Sequence, residues 1–231
     1  MCAKCVRNLF GIMKTLDKIV AERLVALKAI KLQPISPFKW GNGWNSPIYC
    51  DDRRSLSYPK ERDFIKLELS RIVAELFPEA DVIAGVATNA IAHGVLVAHQ
   101  LSLPFIYVHP EPKDHGLENQ IEGDLRPKQK VIIIENQIAI GDSAVKVTEA
   151  LRSNGCQVLG VVTILDYELE IGRQALREAG VTLVPLTSFS TVLETAKQMH
   201  YITKQDVDML NEWHANPANW KKQDVRAKIR K

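Results

Sequence analysis

The run Val131 to Ser143, VIIIENQIAIGDS, holds the residues whose types and spacing point most clearly to chemistry. Its four consecutive β-branched residues, Val131 to Ile134, predict a buried parallel strand. The carboxylate of Glu135 follows directly, then a short turn with Gly141, then a helical pattern, SAVKVTEALRSNG. A strand ending in an acid, a glycine turn and a fresh helix N-terminus can hold a sugar phosphate. The carboxylate accepts ribose hydroxyls and the exposed backbone N–H groups take the phosphate. A second chemical segment lies upstream, HPEPKDHGLENQIEGDLRPK (109–128), polar and without an apolar period. Structureless loops beyond ~12–15 residues are usually functional or disordered. With Lys113, His115 and a hinge at Gly116, this one predicts a mobile lid that carries a cation and a titratable ring. Alone, Lys113 and His115 would read as solvated loop residues.

Groups like these need a scaffold. Apolar runs at 81–87, 105–108, 130–135, 156–165 and 181–186 alternate with helical patterns at 90–100, 143–153 and 170–180. That alternation predicts a parallel sheet with helices on both faces. Apolar positions 16, 19, 20, 24, 27 and 30 predict a helix over 15–30. Pro59 fits the first turn of a helix running to about Phe77. Between them, 32–58 is rich in turn and aromatic residues and predicts short strands in a small lobe. Two helices, near 190–199 and 204–214, complete the chain.

The 231 residues suffice for one α/β domain with a full core, and 46% hydrophobic with 25% charged residues is ordinary for a globular protein. A net charge of +3 is too small to imply nucleic acid, and much of the excess lies in Trp220–Lys231, read as a solvated end. Cys2, Cys5, Cys50 and Cys156 show no zinc spacing and read as free thiols in a reducing cytosol. No apolar run approaches the ~18 residues that would span a membrane. Met13 stands just before the first helical pattern, so residues 1–12 read as an extension, 13–220 as the domain and 221–231 as a basic tail.

Four segments, SPIYCDDRRSLSYP (46–59), VIAGVATNAIAHG (82–94), PKDHGLENQIEGDL (112–125) and VIIIENQIAIGDS (131–143), resemble those of orotate phosphoribosyltransferases. The tail YITKQDVDMLNEWHANPANW (201–220) is similar to the bacterial form. The resemblance covers roughly 14–220, in order. It implies a type I phosphoribosyltransferase fold, with a parallel five-stranded core, helices on both faces and a small hood at about 32–58. It implies a reaction that joins orotate to 5-phosphoribosyl 1-diphosphate with Mg²⁺ carried on the diphosphate, giving orotidine 5′-phosphate. It also implies a cytoplasmic homodimer whose lids close over the partner's site. On that resemblance Lys113 and His115 act on the departing diphosphate. His109, Thr88 and the run Glu135, Asn136, Gln137, Ile138, Ala139, Ile140, Gly141, Asp142 and Ser143 bind the phosphoribosyl diphosphate. Ala139, Tyr49 and Arg53 meet orotate. Tyr49 reads more readily as hood core than as a base-stacking ring, and Arg53 reads equally as part of a solvated turn.

Several residues differ from the family's pattern. Where a second acid is expected stands Asn136, which can accept a hydroxyl hydrogen bond but brings no charge. Ile140 is apolar and β-branched at a phosphate turn. Asp142 predicts an N-cap that would occupy the amides a phosphate needs. His109-Pro110-Glu111 stands where an Arg and a Lys are expected. These residues predict weak binding of the sugar diphosphate. They leave two readings open: an enzyme of lowered activity, or a non-catalytic nucleotide-binding or regulatory protein of the same fold.

Overall fold

The structure, a computed structural model, describes residues 3–111 and 120–221, with side chains from Thr15 onward. Lys113 and His115 lie outside the described residues, as do 222–231 of the basic tail. In chain order, helix α1 (Ala3–Ala26) leads into β1 (Ile30–Leu32), β2 (Phe38–Lys39), β3 (Asn45–Ser46) and β4 (Ile48–Cys50). A 3₁₀ turn at Asp52–Ser57 hands over to α2 (Pro59–Leu76). Then come β5 (Val82–Val86), α3 (Ile91–Leu101), β6 (Phe105–Val108), β7 (Ile121–Glu122), β8 (Lys130–Ile138) and α4 (Asp142–Ser153). The chain closes with β9 (Gln157–Asp166), α5 (Glu170–Glu178), β10 (Leu183–Ser188), α6 (Phe189–Gln198) and α7 (Lys204–Ala215).

The central sheet has six strands in the order β10-β9-β8-β5-β6-β7. Five are parallel and β7 alone is antiparallel, Val108 facing Ile121 and Tyr107 facing Glu122. The parallel five match the expected core. The sixth strand corrects the reading of 109–128 as one unstructured loop, since its returning arm pairs with the edge of the sheet. Val82–Val86 and Val131–Asn136 are buried throughout, as strands covered on both faces must be. Helices α2 and α3 pack on each other and on the sheet, and α4 packs on the sheet and against α5.

The first helix ends at Ala26, four residues before its apolar stripe runs out. Lys28 takes a left-handed conformation (φ +54°), and the Ala29 N–H reaches back to the Leu24 carbonyl at 3.0 Å. This is a Schellman stop, usually marked by glycine; a lysine gives no such signal. Ile30 therefore belongs to β1. The hood is two small antiparallel ribbons, β1 with β4 and β2 with β3. Trp213 of α7 anchors it: the ring is fully buried, its Nε1 donates to the Asn45 carbonyl at 3.1 Å, and Trp40 packs edge-on against it.

Candidate active site

The chain leaves β5 toward β6 on one side, and later returns through β8 on the other side of β5. A crevice opens where a parallel sheet changes direction in this way, at the carboxyl ends of the strands. Here a cleft of about 500 Å³ occupies that place. Glu135, Asn136, Gln137, Ala139, Ile140, Asp142 and Ser143 line it from the β8–α4 side. Asn89 lines it from the turn after β5, and Lys39, Trp40 and Tyr49 from the hood. Three segments far apart in sequence thus converge on one space.

Strand β8 does not stop at Glu135. It pairs with β9 as far as Ile138 opposite Asp166. Ile138 is consequently a core residue, 2% exposed, and not a ligand group. Glu135 is buried; its Oε1 accepts from the Asn136 N–H at 3.0 Å and its Oε2 has no partner. Burial pushes its carboxyl up to about 8, with the Asp52 charge adding to the rise; the Asn136 N–H and, from further away, the Ser143 hydroxyl oppose it. A buried acceptor without a donor is a group awaiting a ligand or a water.

Asn136 does not replace an acid in an otherwise empty place. Its Nδ2 donates to Asp52 Oδ1 at 3.2 Å, and its Oδ1 lies 3.1 Å from His93 Nδ1. His93 Nε2 in turn lies 3.3 Å from Ser55 Oγ. Only one proton assignment satisfies every partner: Ser55 O–H to Nε2, Nδ1–H to the Asn136 oxygen, the Asn136 amide to Asp52. Burial lowers His93 to about 4, so the ring is neutral and the chain of donors runs one way. His93 is thus a structural residue tying helix α3 to the hood.

The phosphate turn also differs from expectation. Gly141, not Asp142, caps α4, with φ +78° and no side-chain cap. Asp142 is the first helical residue and reaches down the helix to Lys146 Nζ at 2.7 Å, which also holds Glu111 at 2.6 Å. The amides of the first turn therefore keep no side-chain acceptor, and a lysine faces the carboxylate expected to repel a phosphate. Both carboxylates hold the Lys146 ammonium charged, raising it above the ordinary lysine range. Lys146→Met, measured by titration with inorganic phosphate, should weaken binding several-fold, because Asp142 is then unpaired beside the anion.

Gly172 of α5 is the site residue that sequence reasoning passed over. A Cβ there would stand 2.1 Å from the Ala139 carbonyl oxygen, and one on Gly141 would stand 3.0 Å from the Gly172 carbonyl. The turn and the helix touch backbone to backbone. Nothing in the α5 pattern marks this glycine, since the contact is purely tertiary. Lys39 was passed over too; it is an exposed cation on the cleft wall, supplied by the hood.

The remaining expectations divide. Tyr49 lines the cleft and packs on Phe38, ring centroids 5.4 Å apart. Arg53 stays at the rim, donating to Asn89 Oδ1, Tyr49 Oη and, at 3.4 Å, Asp51 Oδ1, so it braces the hood against the β5 turn. Thr88 is exposed in that turn, next to the lining residue Asn89. His109 does not line the cleft; its ring packs edge-on against Tyr107, with Nε2 buried and unpartnered. His214 accepts no chemical role: it stacks on Phe189 and its Nε2 lies 2.9 Å from the Tyr167 carbonyl.

No family model matches the chain. It is 53% identical over 208 residues to an orotate phosphoribosyltransferase of Phocaeicola vulgatus, an alignment covering 90% of this chain and 98% of that protein. The chain belongs to the orotate phosphoribosyltransferase family. The orotate phosphoribosyltransferase of Listeria monocytogenes is 44% identical, over 90% of this chain and all of that protein. In three dimensions the crystal structure of the Aeropyrum pernix orotate phosphoribosyltransferase is similar with a TM-score of 0.66 at 28% identity. It covers 77% of this chain and 99% of that one. The fold is therefore shared with that family.

Proposed function

We propose that the protein transfers the phosphoribosyl group of 5-phosphoribosyl 1-diphosphate to orotate, forming orotidine 5′-phosphate and diphosphate in pyrimidine synthesis. The observation that carries this reading, beside family membership, is the cleft at the sheet's switch point, where a buried acid adjoins an uncapped helix N-terminus. As the bond from ribose C1 to diphosphate breaks, positive charge develops on the sugar and negative charge on the leaving group. Catalysis is then chiefly positioning and electrostatics. Amides from Gly141 to Ser143 hold the 5′-phosphate. A ribose hydroxyl donating to Glu135 Oε2 supplies the partner that oxygen lacks and favours the ionised carboxylate under the cationic sugar. On the family resemblance Lys113 and His115 act on the departing diphosphate, and Lys39 of the hood adds a cation on the cleft wall. Tyr49 lies where it can pack on the pyrimidine.

The donor set fits Mg²⁺ brought in on the diphosphate. The ion prefers phosphate oxygens and water. When bound, the ion neutralises diphosphate oxygens. Family membership supports a cytoplasmic homodimer with shared active sites, which sedimentation analysis checks directly. No described helix is long and apolar enough to cross a membrane.

Conversion of orotate by the purified protein, coupled to decarboxylation of the product, tests the reading; absence of turnover would overturn it in favour of a non-catalytic relative. Ile140 is the feature that weakens the site, half-buried on the cleft wall where a hydroxyl would serve the phosphate. Calorimetric titration with 5-phosphoribosyl 1-diphosphate and Mg²⁺ should give a dissociation constant above the low-micromolar range. Ile140→Thr should tighten it about tenfold, the value of one hydrogen bond to a charged acceptor. A parent already binding in the low-micromolar range would remove the case for a weakened site.

A further inference from the structure

Two buried acids are bridged by Asn136 beneath the cleft, and one of them belongs to the hood. Asp52 is fully buried, one oxygen receives the Asn136 amide at 3.2 Å, and Oδ2 has no partner. Asn136 serves both acids at once: its side-chain N–H goes to Asp52 and its backbone N–H to Glu135 Oε1 at 3.0 Å. Its carboxamide oxygen is taken by His93, so the group cannot turn over without losing two hydrogen bonds. A buried carboxylate oxygen without a partner calls for an explanation. Asp52 keeps such an oxygen and sits one hydrogen bond from the cleft wall.

We infer that Asp52 is a positioning residue for the phosphoribosyl transfer: acting through Asn136, it fixes that amide beneath the ribose and brings a second negative charge to the cationic sugar. The inference rests on the function proposed above. The arrangement has a physical consequence that separates it from a structural role. Burial raises Asp52 to about 6, against the opposing effects of the Gln137 amide, the Arg53 charge and the Asn136 amide. Its ionised form therefore opposes folding, and the carboxylate is retained at a cost to stability.

The test is a charge-swap cycle read by both turnover and thermal stability. Asp52→Asn should lower kcat by about 10- to 100-fold, the range found for groups that orient a site's contacting residues, while Tm at pH 8 stays level or rises. Asp52→Asn with Asn136→Asp, which moves the charge across the same hydrogen bond, should recover most of the loss. An unchanged kcat in the single variant overturns the inference. So does a kcat loss accompanied by a lower Tm, the mark of a broken structural contact, and so does a double variant that recovers nothing. If the parent itself shows no turnover, the function reading fails separately. Asp52 is then judged by titration with ribose 5-phosphate: affinity about tenfold weaker in Asp52→Asn supports the role, and equal affinity overturns it.

Discussion

Gly172→Ala should disable the phosphate site from a helix that carries none of its ligands. The new Cβ would stand 2.1 Å from the Ala139 carbonyl oxygen and 3.2 Å from the Ile140 carbonyl carbon, both main-chain atoms with no rotamer to yield. Either α5 or the turn must move. Gly141 is held by the same contact from the other side, with its own positive φ, so the turn has little freedom to refold in place. Overpacking of this kind costs about 1–3 kcal/mol, which in a chain of this size lowers Tm by roughly 2–4 °C per kcal/mol. Function should suffer more than stability. Displacing a positioning element by about 1 Å can remove about a hundredfold of rate, and here the displaced element is the set of amides proposed to hold the phosphate. Thermal unfolding together with kcat/KM for 5-phosphoribosyl 1-diphosphate reads both effects. A variant with parental kcat/KM would show that the turn and α5 are independent.

Glu135→Gln should give a protein that is more stable in mild alkali and much slower. The folded Glu135 carboxyl sits at about 8 against an ordinary 4.5, chiefly through burial. Between those values the folded state holds a proton that the unfolded chain has released. The stability this group contributes is therefore complete below about 4.5, declines as pH rises, and is lost once pH passes about 8. Asp52 acts in the same direction between 3.8 and about 6. Glutamine has no proton to lose, so Tm of the variant should exceed that of the parent at pH 8 and approach it near pH 5. Turnover should fall by about a hundredfold or more, because a fixed charge opposite the developing cation is replaced by a dipole. Equal pH dependence in parent and variant would mean that Glu135 ionises freely in the folded protein.

The two variants probe different layers of the same arrangement. Gly172 acts by being absent as a side chain, and Glu135 by being present where it is poorly solvated. That a carboxylate is kept at such a position, with Asp52 one amide away, follows if the cleft is built to be completed by a polyhydroxylated, positively polarised ligand.

By itself the sequence determined the layer plan and the chemistry-bearing run. Strand and helix periods are local, and the parallel core from Val82 to Ser188 followed them closely. Glu135, Gly141 and Ser143 were legible because an acid, a glycine and a helix start within one short run depend on backbone geometry alone. Where the expectation failed, the deciding contact came from elsewhere in the chain. The first helix ended early on a left-handed lysine, and β8 ran on to Ile138 because β9 offered partners as far as Asp166. Asp142 turned to Lys146, which also holds Glu111, leaving the helix start free. Asn136 met a buried acid from the hood, 84 residues distant in sequence. Charge balance, unlike periodicity, is a property of what packs together. Only the tertiary structure could show that Asn136, beside Glu135, meets Asp52 from the hood, and that a glycine in another helix makes room for the turn from Ala139 to Gly141.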